Sequence, residues 1–143
     1  MSNLISQQIK LFQYEYENID INRINELMAH YSTNATFRDP FQEVSGKEAI
    51  AHIFRKMFDQ LNNPSFKFLS MTHNNSEAAV LWEFKFKFKR WNTYPQSLKG
   101  VSWLIFDESG LITSHIDYWD PAEGIYEKLP ILGHLMRFLK KQA

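Results

Sequence analysis

Apolar residues recur at helical spacing in the first third of the chain. Ile5, Ile9, Phe12 and Tyr16 share one helical face, and after the polar break at Asn18 to Asp20 a shorter set follows at Ile24, Leu27, Met28 and Tyr31. The pattern predicts two amphipathic helices. Ala35 to Arg38 reads as a short strand ending at Asp39-Pro40, where the proline disfavours helical backbone for Asp39 and keeps it extended. A third helix is expected from Gly46, with Ser45 and Glu48 spaced as a capping box. Ile50, Ile53, Phe54, Met57, Phe58 and Leu61 form its buried stripe, and Asn62-Asn63-Pro64 stops it.

From Ser65 onward the period changes to two. Between Val80 and Lys89 the residues Val80, Trp82, Phe84, Phe86 and Phe88 alternate with Leu81, Glu83, Lys85, Lys87 and Lys89, giving one aromatic and one largely charged face. The lysine row reads as a solvated outer face. A turn at Asn92 to Pro95, a strand from Gln96 to Phe106, a turn at Asp107 to Gly110 and a strand from Leu111 to Tyr118 complete an expected antiparallel meander. After a short turn of helix and the break at Pro130, Leu132, Leu135, Met136 and Leu139 suggest an amphipathic lid or tail. Helices first and long strands afterwards define an α+β order, with helices gathered on one face of a sheet.

The length, 143 residues, suits one domain spanning 1–143. Sixteen basic and sixteen acidic residues balance, so the charge footprint of a nucleic-acid binder is missing. Cysteine is absent, which excludes disulfides, thiolate metal sites and a cysteine nucleophile, and suits a reducing compartment. Met1 to Phe12 lacks the continuous apolar run of a signal peptide, and no stretch approaches the ~20 apolar residues of a membrane span. A cytoplasmic protein without stable membrane insertion is the expectation. Aromatic residues are abundant, with twelve Phe and four Trp, enough to build a broad core or a lined pocket.

Three stretches resemble the ketosteroid isomerase and SnoaL-type polyketide cyclase group of the nuclear transport factor 2-like superfamily. They are Tyr31-Ser-Thr-Asn-Ala-Thr-Phe-Arg-Asp-Pro-Phe41, then Ser45-Gly46-Lys47-Glu48-Ala49-Ile50, then Phe106-Asp107-Glu108-Ser109-Gly110-Leu111-Ile112 with the strand that ends at Asp117-Tyr118-Trp119-Asp120. The resemblance implies a cone-shaped half-barrel, a curved antiparallel sheet packed on three N-terminal helices around an apolar cavity. In ketosteroid isomerase, a standard example of pKa tuning, an aspartate shuttles the proton while a tyrosine and a protonated acid hold the enolate. Asp39 matches the base. An ungapped alignment places Glu15 at the tyrosine and Ser102 at the acid; Tyr14 and Tyr16 flank Glu15, and Tyr16 lies on the apolar stripe.

The same comparison turns His115, Asp117 and Trp119 toward the cavity, and Asp120 corresponds to the acid that SnoaL-type cyclases are thought to use as base. Asp120 also suits a helix cap before Pro121, and Asp39 suits a turn that satisfies backbone amides. The resemblance therefore implies Asp39, His115, Asp117 and Asp120 as catalytic candidates. Tyr16, Phe54, Phe58, Trp82, Phe84, Phe86, Ser102 and Trp119 are the ligand-binding candidates. No phosphate loop, nucleophile elbow or metal-ligand spacing occurs, so neither a metal nor a cofactor is expected.

The leading expectation is an isomerase, cyclase or hydratase that moves a proton on an apolar steroid-, polyketide- or terpenoid-like carbonyl compound. A non-catalytic module that binds an apolar ligand or dimerises is the alternative, and an epoxide hydrolase is a third. The strand from Leu98 to Phe106 is apolar on both faces, Leu98, Ser102, Leu104 and Phe106 against Val101, Trp103 and Ile105. Only one face can line a cavity. The Val101, Trp103 and Ile105 face is expected to be covered by a second copy, making a homodimer.

Overall fold

A computed structural model describes residues 2–90 and 94–121. Helix α1 (Ser2–Glu17), a 3-10 turn at Ile21–Arg23, and α2 (Ile24–Met28) lead into strand β1 (Tyr31–Arg38). A short β2 (Glu43–Ser45), helix α3 (Lys47–Gln60) and strands β3 (Leu61–His73), β4 (Glu77–Phe88), β5 (Gln96–Phe106) and β6 (Ile112–Tyr118) follow. The fold is α+β: one curved, unclosed six-stranded sheet in the order β2-β1-β6-β5-β4-β3, with the helices against its inner face. β3 to β6 form the antiparallel meander that alternation predicts.

Several boundaries differ from the sequence reading. Tyr31 opens β1 instead of closing α2, because the helix ends at Met28 and Ile112 N–H bonds to the His30 carbonyl, drawing the chain into the sheet. Ser45 belongs to β2, and Gly46, at φ 97°, is the N-cap of α3 without a side-chain cap bond, so the capping box does not form. At its other end α3 passes directly into β3, and Leu61 is a strand residue paired with Phe88. Asn63 takes a positive φ of 53° where the pairing of β3 with β4 shifts register between Asn62 and Ser65. β1 pairs with β6 in parallel, a long-range pairing that alternation within a strand does not encode. The centre of the expected turn at Asn92 to Pro95 and the amphipathic segment Leu132 to Leu139 lie outside the described residues.

The core forms where the α1 stripe of Ile5, Ile9, Phe12 and Tyr16 meets Leu27, Tyr31, Val80, Leu104 and Ile112, all nearly inaccessible. One contact shapes the middle of the sheet. Trp82 pairs across strands with Gly100, and its indole occupies the space that a Cβ at residue 100 would need. Indole stacked on a cross-strand glycine buries backbone that would otherwise stay uncovered. It also aims Nε1 at Ser102 Oγ, 2.8 Å away. Gly100→Ala must displace the ring, so urea denaturation is expected to show a loss of roughly 1–3 kcal/mol, the usual cost of overpacking. An unchanged midpoint would mean that the indole has another place to go.

Candidate functional site

The inner face of the sheet acts as core under α1 and becomes a wall under α3. Between α3 and strands β3 to β6 lies a cavity of about 170 Å³. The buried Tyr16, Phe37, Phe54, Trp82, Phe86 and Phe88 line it together with the half-buried Leu61, Phe66, Phe84, Leu98 and Trp119. Ile53, Lys56, Met57 and Gln60 come from one stripe of α3. Three further polar residues complete the lining: Asp39, Gln42 and Asp117.

Asp39 follows β1, and Pro40 turns the chain back toward β2. Its Oδ1 accepts the backbone N–H groups of Phe41 at 2.9 Å and Gln42 at 3.1 Å, while Oδ2 accepts Gln42 Nε2 at 3.0 Å. The turn-satisfying role and the cavity position therefore coexist in one side chain. Oδ1 is occupied twice, which leaves Oδ2 as the oxygen with capacity for a proton. Burial pushes the Asp39 carboxyl above its ordinary 3.8 and the Asp117 charge adds to this, outweighing the opposing hydrogen bonds from Gln42 and Phe41.

Asp117 ends a buried polar chain. His115 is fully buried, boxed by Phe12, Tyr16, Tyr31 and Phe37, with Phe37 edge-on at 4.8 Å between ring centres. Its Nε2 lies 2.7 Å from Asp117 Oδ1 and its Nδ1 lies 2.8 Å from the Tyr31 hydroxyl. Ser102 Oγ donates to the same Asp117 oxygen at 2.5 Å and accepts from Trp82 Nε1. In the neutral tautomer in which His115 donates through Nε2 to Asp117, Nδ1 is the acceptor and Tyr31 the donor. Burial first, and Asp117 next, pushes the Tyr31 phenol well above 10.0, so it keeps the proton this arrangement needs.

Tyr16 brings a phenol to the cavity, whereas Tyr14 is 60% exposed on the opposite face of α1. Burial raises the Tyr16 phenol well above 10.0, with Asp117, Tyr31 and Asp39 adding to the shift, so it acts as a donor. Glu15, at the ungapped position, instead grips Arg23 through both oxygens at 2.8 and 2.9 Å. A single-residue shift on a helix turns a side chain by about 100°, which decides between the two.

Of the expected site residues, Asp39, Asp117, Tyr16, Phe54, Trp82, Phe84, Phe86 and Trp119 converge on the cavity. Four lie elsewhere. His115 and Ser102 sit behind the wall with their polar atoms turned to Asp117. Phe58, on another side of α3, packs against the core, while Ile53 and Met57 take the lining positions. Asp120 does not line the cavity; it is exposed beyond β6, in a groove with Arg38, Pro40 and Tyr118 that Asp39, Asp117 and Trp119 also border. Gln42, Lys56 and Tyr31 were missed. Only the spacing of Lys56 within the α3 stripe carried a signal, since Ile53, Met57 and Gln60 surround it at one helical face. Among the described residues no three histidine or carboxylate side chains converge as a metal site. Nor is any helix among them long and apolar enough to cross a membrane.

The fold is similar to several solved structures. A candidate polyketide cyclase from Xanthomonas campestris superposes with a TM-score of 0.76 at 13% identity, covering 87% of this chain and 96% of the other. A ketosteroid isomerase-like protein from Catenulispora acidiphila, solved with trimethylamine, gives 0.72 at 13% identity over 83% and 89% of the two chains. An epoxide hydrolase of M. tuberculosis gives 0.69 at 15% identity over 94% and 96%. No curated protein matches the chain in sequence. The SnoaL-like domain model matches residues 14–115, the stretch that carries Tyr16, Asp39 and the meander as far as His115, and the chain belongs to that family.

Proposed function

We propose that the protein is a proton-transfer enzyme of the isomerase, cyclase or hydratase kind, acting on a small apolar carbonyl compound. The observation that carries this reading is the convergence of Asp39, Asp117 and Tyr16 on one aromatic cavity. Asp39 is the general base: Oδ2 takes a proton from the carbon beside the carbonyl, and desolvation brings its acidity nearer to that of the carbon acid. Tyr16 donates a hydrogen bond to the enolate oxygen. Asp117 is the second proton-holding group, and His115 is a positioning residue that acts through it.

A cytoplasmic setting suits the absence of cysteine. A specific observation favours the non-catalytic alternative, an apolar-ligand module: both backbone amides on Asp39 Oδ1 are what a purely structural turn would use. Epoxide opening is supported by the two inward carboxylates and the Mycobacterium fold likeness, yet the only cation among the described lining residues is Lys56.

We also propose a homodimer through the outer sheet face. Trp103, Leu81 and Tyr118 are 39%, 37% and 53% exposed there, beside the partly exposed Val101, Ile105 and Ile116. A contiguous apolar area of this kind is normally covered by a partner.

Solvent-deuterium exchange into a cyclic ketone such as 2-tetralone, followed by NMR, tests the chemistry directly. Wild type should accelerate exchange over buffer, and Asp39→Asn should lower the rate by at least ~100-fold. No acceleration across a panel of one- and two-ring ketones, with binding intact, would leave the ligand-binding module as the better reading.

Activity should rise with pH along a limb lying above the ordinary 3.8 of an aspartate, since the base works ionised and its pKa is raised. Stability has the opposite sign. A raised folded pKa means that the Asp39 contribution is fully present below the unfolded value and is lost as pH rises through the folded one. Asp39→Asn should therefore stabilise the protein at neutral pH relative to wild type, as read from urea midpoints at pH 4 and pH 7.

For the dimer, Trp103→Glu should sediment as a monomer at concentrations where wild type is dimeric. Monomeric wild type at micromolar concentration would refute that interface.

A further inference from the structure

Lys56 stands on the cavity-facing stripe of α3, between Ile53 and Gln60, where an apolar side chain would bury more surface. It is half-buried, and the ion pairs among the described residues join Glu15 with Arg23, Glu48 with Arg55, Glu83 with Lys85 and Asp117 with His115. None of them engages Lys56. The cavity is thus electrically polarised. Asp39 and Asp117 lie on the β1 and β6 side, whereas α3 carries Lys56 toward its junction with β3, beyond β5 and β4 in the sheet. At a strand spacing of about 4.8 Å the three steps from β6 to β3 amount to roughly 14 Å along the sheet. Aromatic wall, including Phe84 and Phe86, separates them.

We infer that Lys56 binds a carboxylate on the ligand, so that the substrate class is an amphipathic carboxylic acid with a compact ring or hydrocarbon body. An anionic group is repelled beside Asp39 and Asp117 and finds an opposite charge at Lys56, the one cation among the described lining residues. Only one orientation of such a ligand is favourable: acid group at α3, reactive end at the two aspartates. One ammonium matches a monoanion; a dianionic phosphate would call for further cations or a guanidinium fork, and the described lining offers neither. A lysine placed only to cover apolar surface with its stem would give no preference between an acid and its ester.

This inference rests on the cavity being a ligand site but does not require catalysis there. The test is a tryptophan fluorescence titration, reporting through Trp82 and Trp119, with 1-naphthaleneacetic acid and its methyl ester at pH 8 and low salt. Wild type should bind the acid roughly tenfold more tightly than the ester, the scale of one charge-assisted hydrogen bond. Lys56→Met should abolish that preference while leaving ester affinity unchanged, and Lys56→Arg should retain it. Added salt should erode it. Asp39→Asn should keep or increase the preference, so a protein that fails the exchange assay can still satisfy this one. Equal binding of acid and ester by wild type, or a preference that survives in Lys56→Met, overturns the assignment; no response to either compound removes the ligand site itself.

Discussion

A carboxylate held inside an aromatic interior survives only if its oxygens are hydrogen-bonded, and much of this structure serves that requirement at Asp117. Two donors, Ser102 Oγ and His115 Nε2, meet on one of its oxygens. Each is fixed by a partner from elsewhere in the fold: Trp82 in β4 bonds Ser102, and Tyr31 at the start of β1 bonds His115. Four strands thereby hold a single acid. Trp82 can reach its partner because Gly100 leaves room for the indole, and Tyr31 can reach His115 because β1 runs parallel to β6 with a register shift between Tyr31 and Thr36.

The two aspartates are held by different means. Asp117 depends on tertiary packing, whereas Asp39 is secured within four residues by the turn between β1 and β2, whose backbone amides and Gln42 side chain supply its donors. A local turn can be formed by a short sequence; a five-residue polar chain across four strands cannot. The consequence for chemistry is an asymmetry. Asp39 keeps one oxygen with capacity for a proton and carries a raised pKa, while one oxygen of Asp117 is committed to the network.

One sheet face does two jobs, and the division follows from which helix covers it. Under α1 the stripe from Ile5 to Phe12 packs with Val80, Leu104 and Ile112 as core, and Tyr16 at its end reaches the cavity. α3 lies across the other end, and there the same alternation of large residues along β4 lines space, with Phe84 stacked on Phe66 at 4.3 Å and on Phe86 at 4.9 Å between ring centres. Mutual stacking braces these rings without a helix pressed against them.

The inward face of the last strand came from the family resemblance, whereas local chemistry in the sequence determined the helix stripes, the alternating strands and the break at Asp39-Pro40, because each depends on neighbours within a few residues. The apolar face of β4 was legible for the same reason, as a period of two. Tertiary structure alone decided that Tyr31 begins a strand, that β1 lies parallel to β6, and that His115 ends up behind the wall while Asp117 reaches the cavity. Those outcomes are long-range: a strand order joins residues 84 positions apart, such as Tyr31 and His115. Alternation put His115 and Asp117 on one face, but their depth along the cone depends on where the sheet curves and which helix covers it, and that is a property of the packed whole.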